Sequence, residues 1–203
     1  MITVDTAHYS RRERDVATRY VKPWRQRATG FNYQSGMTWD LIKHFKDTHK
    51  IPLGLKGIAT AEDAKLCVEH GVDMIYVSNH GGRQLDHGRG SLDVLPEVLK
   101  AVDGRAKVIV DGGFTRGTDV VKAIALGADL VGLGRMPCFG LAAAGAPGVM
   151  RVLELIEDEM RIAMGLLGVS RLAGLDRSYL HLGAPVATTP HLSSAFPLIG
   201  EGY

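Results

Sequence analysis

The sequence predicts an α/β protein built on a parallel sheet, and three observations carry the prediction. Short apolar runs rich in Val and Ile alternate with helix-like stretches of about ten residues. Several of those stretches open on a residue that caps a helix and close on glycine. Polar and charged residues gather just past the carboxyl ends of the apolar runs, where sheets of this kind carry their chemistry.

Ile2 to Asp5 reads as the first strand, and alternation sets Thr3 and Asp5 on one face with Val4 on the other. A helix over Thr38 to Thr48 leads to a second strand, Pro52 to Gly57. Lys56 stands at its carboxyl end, and a lysine leaving a buried strand needs an anion or solvent for its head. The helix Ala61 to His70 starts at Thr60 and stops at Gly71. Strands Asp73 to Ser78, Lys107 to Asp111 and Asp129 to Gly134 alternate with helices Asp93 to Val102 and Thr118 to Leu126, the latter opening on Thr118 and closing at Gly127. A last helix, roughly Gly148 to Leu167, repeats Val152, Leu155, Ile156, Met160 and Met164 at helical spacing, which reads as a core-facing stripe. Residues 1–180 form one domain in this reading, and 181–203 a C-terminal arm without a clear period.

Composition narrows the function classes. The 203 residues are 45% hydrophobic and 23% charged, with 25 glycines, as expected of a soluble globular protein. A net charge of +2 gives no bulk case for binding nucleic acid. Cys67 and Cys138 lack metal-like spacing and read as two reduced, structural thiols of a cytoplasmic protein. No signal-like stretch opens the chain, and no run elsewhere looks long and apolar enough to cross a bilayer. Between Arg11 and Arg27 lie seven basic residues with Tyr20 and Trp24 interleaved. A solvated loop face with one functional arginine is the favoured reading, and contact with an anionic lipid surface, such as the inner membrane, or with an acidic partner is the alternative.

The densest chemistry is Ser78-Asn-His-Gly-Gly-Arg-Gln-Leu-Asp86, just past the third strand. His80 can move a proton near neutral pH. Arg83 can grip a carboxylate with two parallel hydrogen bonds. Asp5, at another strand end, can orient a histidine. Asp111-Gly-Gly-Phe-Thr-Arg-Gly117 follows one strand and opens a helix, and Gly132-Leu-Gly-Arg135 ends the next. Either glycine loop alone marks an ordinary turn; the two together suggest an anion site of the kind found after the last strands of (β/α)8 barrels.

Thr3-Val-Asp-Thr, Ser10-Arg-Arg-Glu, Gly54-Leu-Lys-Gly-Ile, the Ser78 to Asp86 run, Asp111-Gly-Gly and Gly132-Leu-Gly-Arg occur together and in order. In this the chain resembles the FMN-dependent 2-hydroxy acid oxidases and dehydrogenases, a family that includes glycolate oxidase, lactate oxidase and dehydrogenase, and mandelate dehydrogenase. The likeness runs from Thr3 to about Tyr179. It implies the C-terminal part of a (β/α)8 TIM barrel, about strands 4 to 8. It also implies FMN as cofactor and oxidation of an L-2-hydroxy acid, lactate- or glycolate-like, to the 2-oxo acid. Oxygen, a quinone or a cytochrome would accept the electrons, and the resemblance suggests a homo-oligomer.

Residue by residue, the resemblance makes His80 the active-site base and Asp5 its carboxylate partner. Arg83 and Arg12 would bind the substrate carboxylate. Lys56 would sit beside the flavin ring, with Thr3 and Ser78 at flavin-contacting positions. Asp111, Gly113, Arg116, Gly134 and Arg135 would form the ribityl and phosphate cradle. Both a hydride route and a C2-carbanion route suit this set. Where the family places its phosphate arginine this chain has Thr115, so either Arg116 takes its place or Arg135 holds the phosphate alone. Five strand candidates are too few to close an eight-stranded barrel. The expectation is therefore a fragment of a longer enzyme, with a truncated, non-catalytic barrel piece that binds flavin weakly or not at all as the alternative.

Overall fold

The computed structural model describes residues 1–7, 13–20, 36–85 and 87–183. The chain divides into two compact units, Met1–Gly112 and Gly113–Tyr203. Of the sequence-based assignments, Arg12, most of the basic segment and most of the C-terminal arm lie outside the described residues.

In the first unit, β1 (Ile2–Thr3), β2 (Gly54–Ile58), β3 (Met74–Val77) and β4 (Lys107–Val110) pair in parallel and in sequence order. Helices α1 (Glu13–Ala17), α2 (Trp39–Thr48), α3 (Ala61–Glu69) and α4 (Ser91–Val102) lie between them in sequence. Alternation along β3 and β4 sends Ile75, Val77, Val108 and Val110 to one face, each at most 2% exposed. Val94, Leu95, Val98 and Val102 complete that core from α4. Burying side chains of this size stabilises the fold by about 1.5–3 kcal/mol each. Thr60 caps α3 as expected, its Oγ1 accepting from the Asp63 N–H at 3.1 Å, and Gly71 follows at φ +67°.

The first strand is shorter than the alternation suggested and ends at Thr3, so Asp5 sits in the turn beyond it. Room for Asp5 comes from Gly57. The β2–β3 register slips between Lys56 and Ile58, and Gly57 takes φ +109°. A Cβ there would stand 2.6 Å from the Asp5 side chain. Glycine is required twice over, by backbone angle and by space.

The second unit holds α5 (Gly117–Leu126), the short strand β5 (Leu130–Val131) and α6 (Arg135–Leu166). Val121, Ala125, Val169 and Leu175 form its core, with Met160 and Met164 packed against them. Three expectations need correction here. Helix α5 begins before Thr118, with Arg116 at the cap position. The buried side of α6 centres on Ile156, whereas Leu155 is 48% exposed. The largest correction concerns α6 itself, which begins at Arg135 and is 32 residues long, with an 18-residue window of mean hydropathy 1.4. By length and composition, then, one helix does reach the size of a membrane span.

Its backbone argues for a corner instead. Ala144 and Gly145 leave helical geometry, and Gly140 and Gly148 meet so closely that a Cβ on Gly148 would collide with the Gly140 carbonyl oxygen. In a straight helix those two residues would lie about 12 Å apart along the axis. The cysteines also differ from each other. Cys67 is buried, and burial pushes its thiol up to about 12, while Cys138 is exposed.

Candidate active site

The turn after β3 is built to present His80. His80, Gly81 and Gly82 follow one another at φ +58°, +67° and +69°. A non-glycine residue in that region costs about 1–2 kcal/mol, so the surroundings must hold it. Asn79 does much of the holding. Its Oδ1 accepts from the Gly82 N–H at 3.1 Å, its Nδ2 donates to the Arg89 carbonyl at 3.1 Å, and its own N–H donates to Ser91 Oγ at 3.3 Å. Arg89 is fixed in turn by both carboxylate oxygens of Glu97, at 3.0 Å.

His80 Nδ1 lies 3.2 Å from Asp5 Oδ1, with the two side chains 33% and 13% exposed. Gln84 secures the Asp5 backbone, its Nε2 donating to the Asp5 carbonyl at 2.8 Å. A carboxylate can only accept, so the imidazole donates from Nδ1 and Nε2 keeps its lone pair. The pairing thus selects the tautomer suited to taking a proton.

A second cluster stands at the ends of β2, β3 and β4. Lys56 Nζ donates to Ser78 Oγ at 2.7 Å and lies 3.4 Å from Asp111 Oδ2. Ser78, only 1% exposed, also accepts the His80 N–H at 3.1 Å and so links the two clusters. Thr3 pairs with Lys56 in the β1–β2 register. Among the described residues, Asp5 Oδ2 and Asp111 Oδ1 are buried and meet no hydrogen-bond donor. Leaving such an atom unsatisfied costs about 1–3 kcal/mol. The strand ends therefore favour a ligand that brings hydroxyl or amide donors.

Unit 2 treats its glycine loop differently. The Arg116 Nε donates to Glu159 Oε1 at 2.6 Å, and a second guanidinium nitrogen reaches the same oxygen. Glu159 Oε2 accepts the Gly117 N–H at 2.7 Å, while Asp119 Oδ2 accepts those of Thr115 and Arg116 at 3.1 and 2.9 Å. The Arg116 hydrogen bond holds Glu159 below the usual carboxylate range, with Gly117 adding to it. Arg116 is thus paired with Glu159 within the protein, with about half of its side chain still exposed. The Thr115, Arg116 and Gly117 N–H groups at the entrance to α5 likewise meet the protein's own carboxylates. Arg135, exposed at the start of α6, is the other candidate, and a Cβ on Gly113 or Gly134 would meet nothing within 4 Å.

Asn79, Gln84, Ser91 and Tyr76 were not assigned from the sequence. Asn79 and Gln84 lay inside the quoted run, and their neighbours were the available signal. Arg83 closes the turn as an exposed residue.

Parallel strands ending in a carboxylate-backed histidine and a half-buried lysine define an α/β protein equipped for proton transfer beside a cation. The chain belongs to the FMN-dependent dehydrogenase family, whose profile matches residues 1–182. The L-lactate oxidase of Nostoc sp. is 49% identical over 146 residues, covering 72% of this chain and 40% of that protein. Glycolate oxidase 3 of Arabidopsis thaliana is 38% identical over 216 residues, covering 96% and 58%. A crystal structure of mandelate oxidase with 3,3-difluoro-2-hydroxy-3-phenylpropionic acid aligns at a TM-score of 0.77 and 42% identity, covering 86% of this chain and 52% of that one. The chain thus spans about half the length of the relatives it matches. Its parallel α/β architecture and that partial coverage agree with the C-terminal part of a (β/α)8 barrel.

Proposed function

We propose that this chain carries the catalytic residues for FMN-dependent oxidation of an L-2-hydroxy acid, lactate- or glycolate-like, to the 2-oxo acid. The observation that carries the reading is the His80 Nδ1–Asp5 Oδ1 contact at 3.2 Å, which leaves Nε2 as a base at a strand end. His80 takes the substrate proton at Nε2, and Asp5 stabilises the imidazolium that results. Arg83 is assigned to the substrate carboxylate, as is Arg12 by resemblance.

FMN, when bound, takes the two electrons removed from the substrate. The residues present suit it. The orphaned Asp111 Oδ1 can accept from a ribityl hydroxyl, and Lys56 offers a cation at the same strand ends. Thr3 and Ser78 are assigned to the ring system, and Gly113, Gly134 and Arg135 to the phosphate, by resemblance. Oxygen is the acceptor this reading favours, because the relatives and the solved neighbour are named as oxidases.

The deciding experiment is the visible spectrum of the purified chain with FMN, followed by anaerobic L-lactate and then glycolate. A bound-flavin band that bleaches with either acid is the expected result. A chain that takes up no flavin even in excess FMN would be the non-catalytic fragment instead.

A further inference from the structure

Strand register brings together three groups that are distant in sequence. Lys56 on β2 stands beside Tyr76 on β3, and Tyr76 beside Ile109 on β4, two residues before Asp111. The Lys56 ammonium lies 5.2 Å from the centroid of the Tyr76 ring, within the range of a cation–π contact. The same ammonium donates to Ser78 Oγ at 2.7 Å and stands 3.4 Å from Asp111 Oδ2. The Lys56 and Asp111 side chains are only 19% and 16% exposed. Tyr76 is itself half-buried, and its phenol is pushed up to about 12, by burial first and by the Asp111 charge next.

These facts place an aromatic ring where an aliphatic side chain would fill space without burying a hydroxyl. The ring face attracts the ammonium. The phenol, protonated at any working pH, interacts with the Asp111 carboxylate through charge and hydrogen bonding. Lys56 and Asp111 already form an ion pair at 3.4 Å, and without the ring the ammonium can turn its hydrogen bond from Ser78 onto that carboxylate. With the ring, the ammonium rests at the Ser78 hydroxyl, as the 2.7 Å hydrogen bond shows.

We propose that Tyr76 is a positioning residue that keeps the Lys56 ammonium hydrogen-bonded to Ser78 rather than to Asp111, its ion-pair partner at 3.4 Å, so that the ammonium faces the cofactor. The last clause rests on the flavin reading above; the hold on Lys56 does not. The test has two arms. In the flavin-free chain, the ring shifts the NMR signals of the Lys56 ε-methylene. Tyr76→Phe keeps that shift and Tyr76→Leu abolishes it, with far-UV circular dichroism confirming that both variants fold. Identical Lys56 signals in the wild type and Tyr76→Leu overturn the proposal.

In the second arm, FMN affinity is read by flavin fluorescence. Tyr76→Leu weakens it about tenfold, the order expected for a partly desolvated cation–π contact, and Tyr76→Phe restores most of the loss. Repeated in a Lys56→Met background, Tyr76→Leu has no effect. An equal loss in both backgrounds would show that the ring merely packs, and would overturn the positioning role. A wild type that binds no FMN but shows the NMR contrast sinks the flavin reading and leaves the hold of Tyr76 on Lys56 standing.

Discussion

The strand ends of unit 1 and the glycine loop of unit 2 carry similar sequence signals, yet they use their polar groups in opposite ways. At the ends of β1 to β4, His80, Asp5, Lys56, Ser78 and Asp111 are linked to one another, and two buried carboxylate oxygens still lack donors. At the start of α5, three backbone N–H groups and two guanidinium nitrogens of Arg116 meet Asp119 and Glu159. One region retains acceptors for a ligand and the other has satisfied its donors internally. A glycine loop opening a helix is therefore a poor indicator of anion binding when acidic side chains already lie against that helix start.

The contrast breaks most visibly if His80 proves dispensable. His80→Ala removes the proposed base and leaves Lys56, Ser78 and Asp111 in place. The rate of anaerobic flavin bleaching with L-lactate is expected to fall by about 10²–10⁴-fold, the usual contribution of a general base, while FMN affinity stays within a few-fold. A bleaching rate close to wild type would move the chemistry away from the Asp5-backed turn.

A smaller effect separates the two arginines of unit 2. Arg135→Ala is expected to weaken FMN binding by roughly ten- to a hundredfold, the equivalent of losing a charge-assisted hydrogen bond. Arg116→Ala is expected to lower the melting temperature with little change in FMN affinity. The reverse pattern, in titrations of both variants at one ionic strength, would return Arg116 to the phosphate.

Local chemistry made much of this legible before any coordinates. Thr60, Gly71 and Gly127 bound their helices as read, because capping depends on residues within one turn. β3 and β4 fell within a residue of their expected ends. The start of α6 did not, because Gly140, Gly145, Pro147 and Gly148 look like breakers yet serve a tight corner inside a helical segment. Leu155 and Ile156 are adjacent, and periodicity alone did not say which of them faces inward. At the site, the contact between His80 and Asp5 was legible from family likeness. Tyr76 was not, since its contact with Lys56 follows from the β2–β3 register. Nor was the fate of Arg116, whose partner lies 43 residues further along the chain.

The smallest effect tests that last pairing through pH. Glu159 is held below its ordinary value of 4.5, chiefly by the Arg116 hydrogen bond. A carboxylate with a depressed folded-state value contributes its full stability above the unfolded value and loses it as pH falls through the folded one. The two side chains are 31% and 51% exposed, so solvent screens the pair, and about 0.5–1 kcal/mol is the scale to expect. The Gly117 N–H places some of that at the helix start, where a negative charge is favoured. Glu159→Gln removes the charge and keeps the shape. Urea unfolding should show the variant less stable than wild type near pH 7, with the gap closing well below pH 4.5 as Glu159 itself becomes neutral. A gap of the same size at both ends of that range would mean that the carboxylate charge does not hold Arg116, and Arg116 would again be available to an anion.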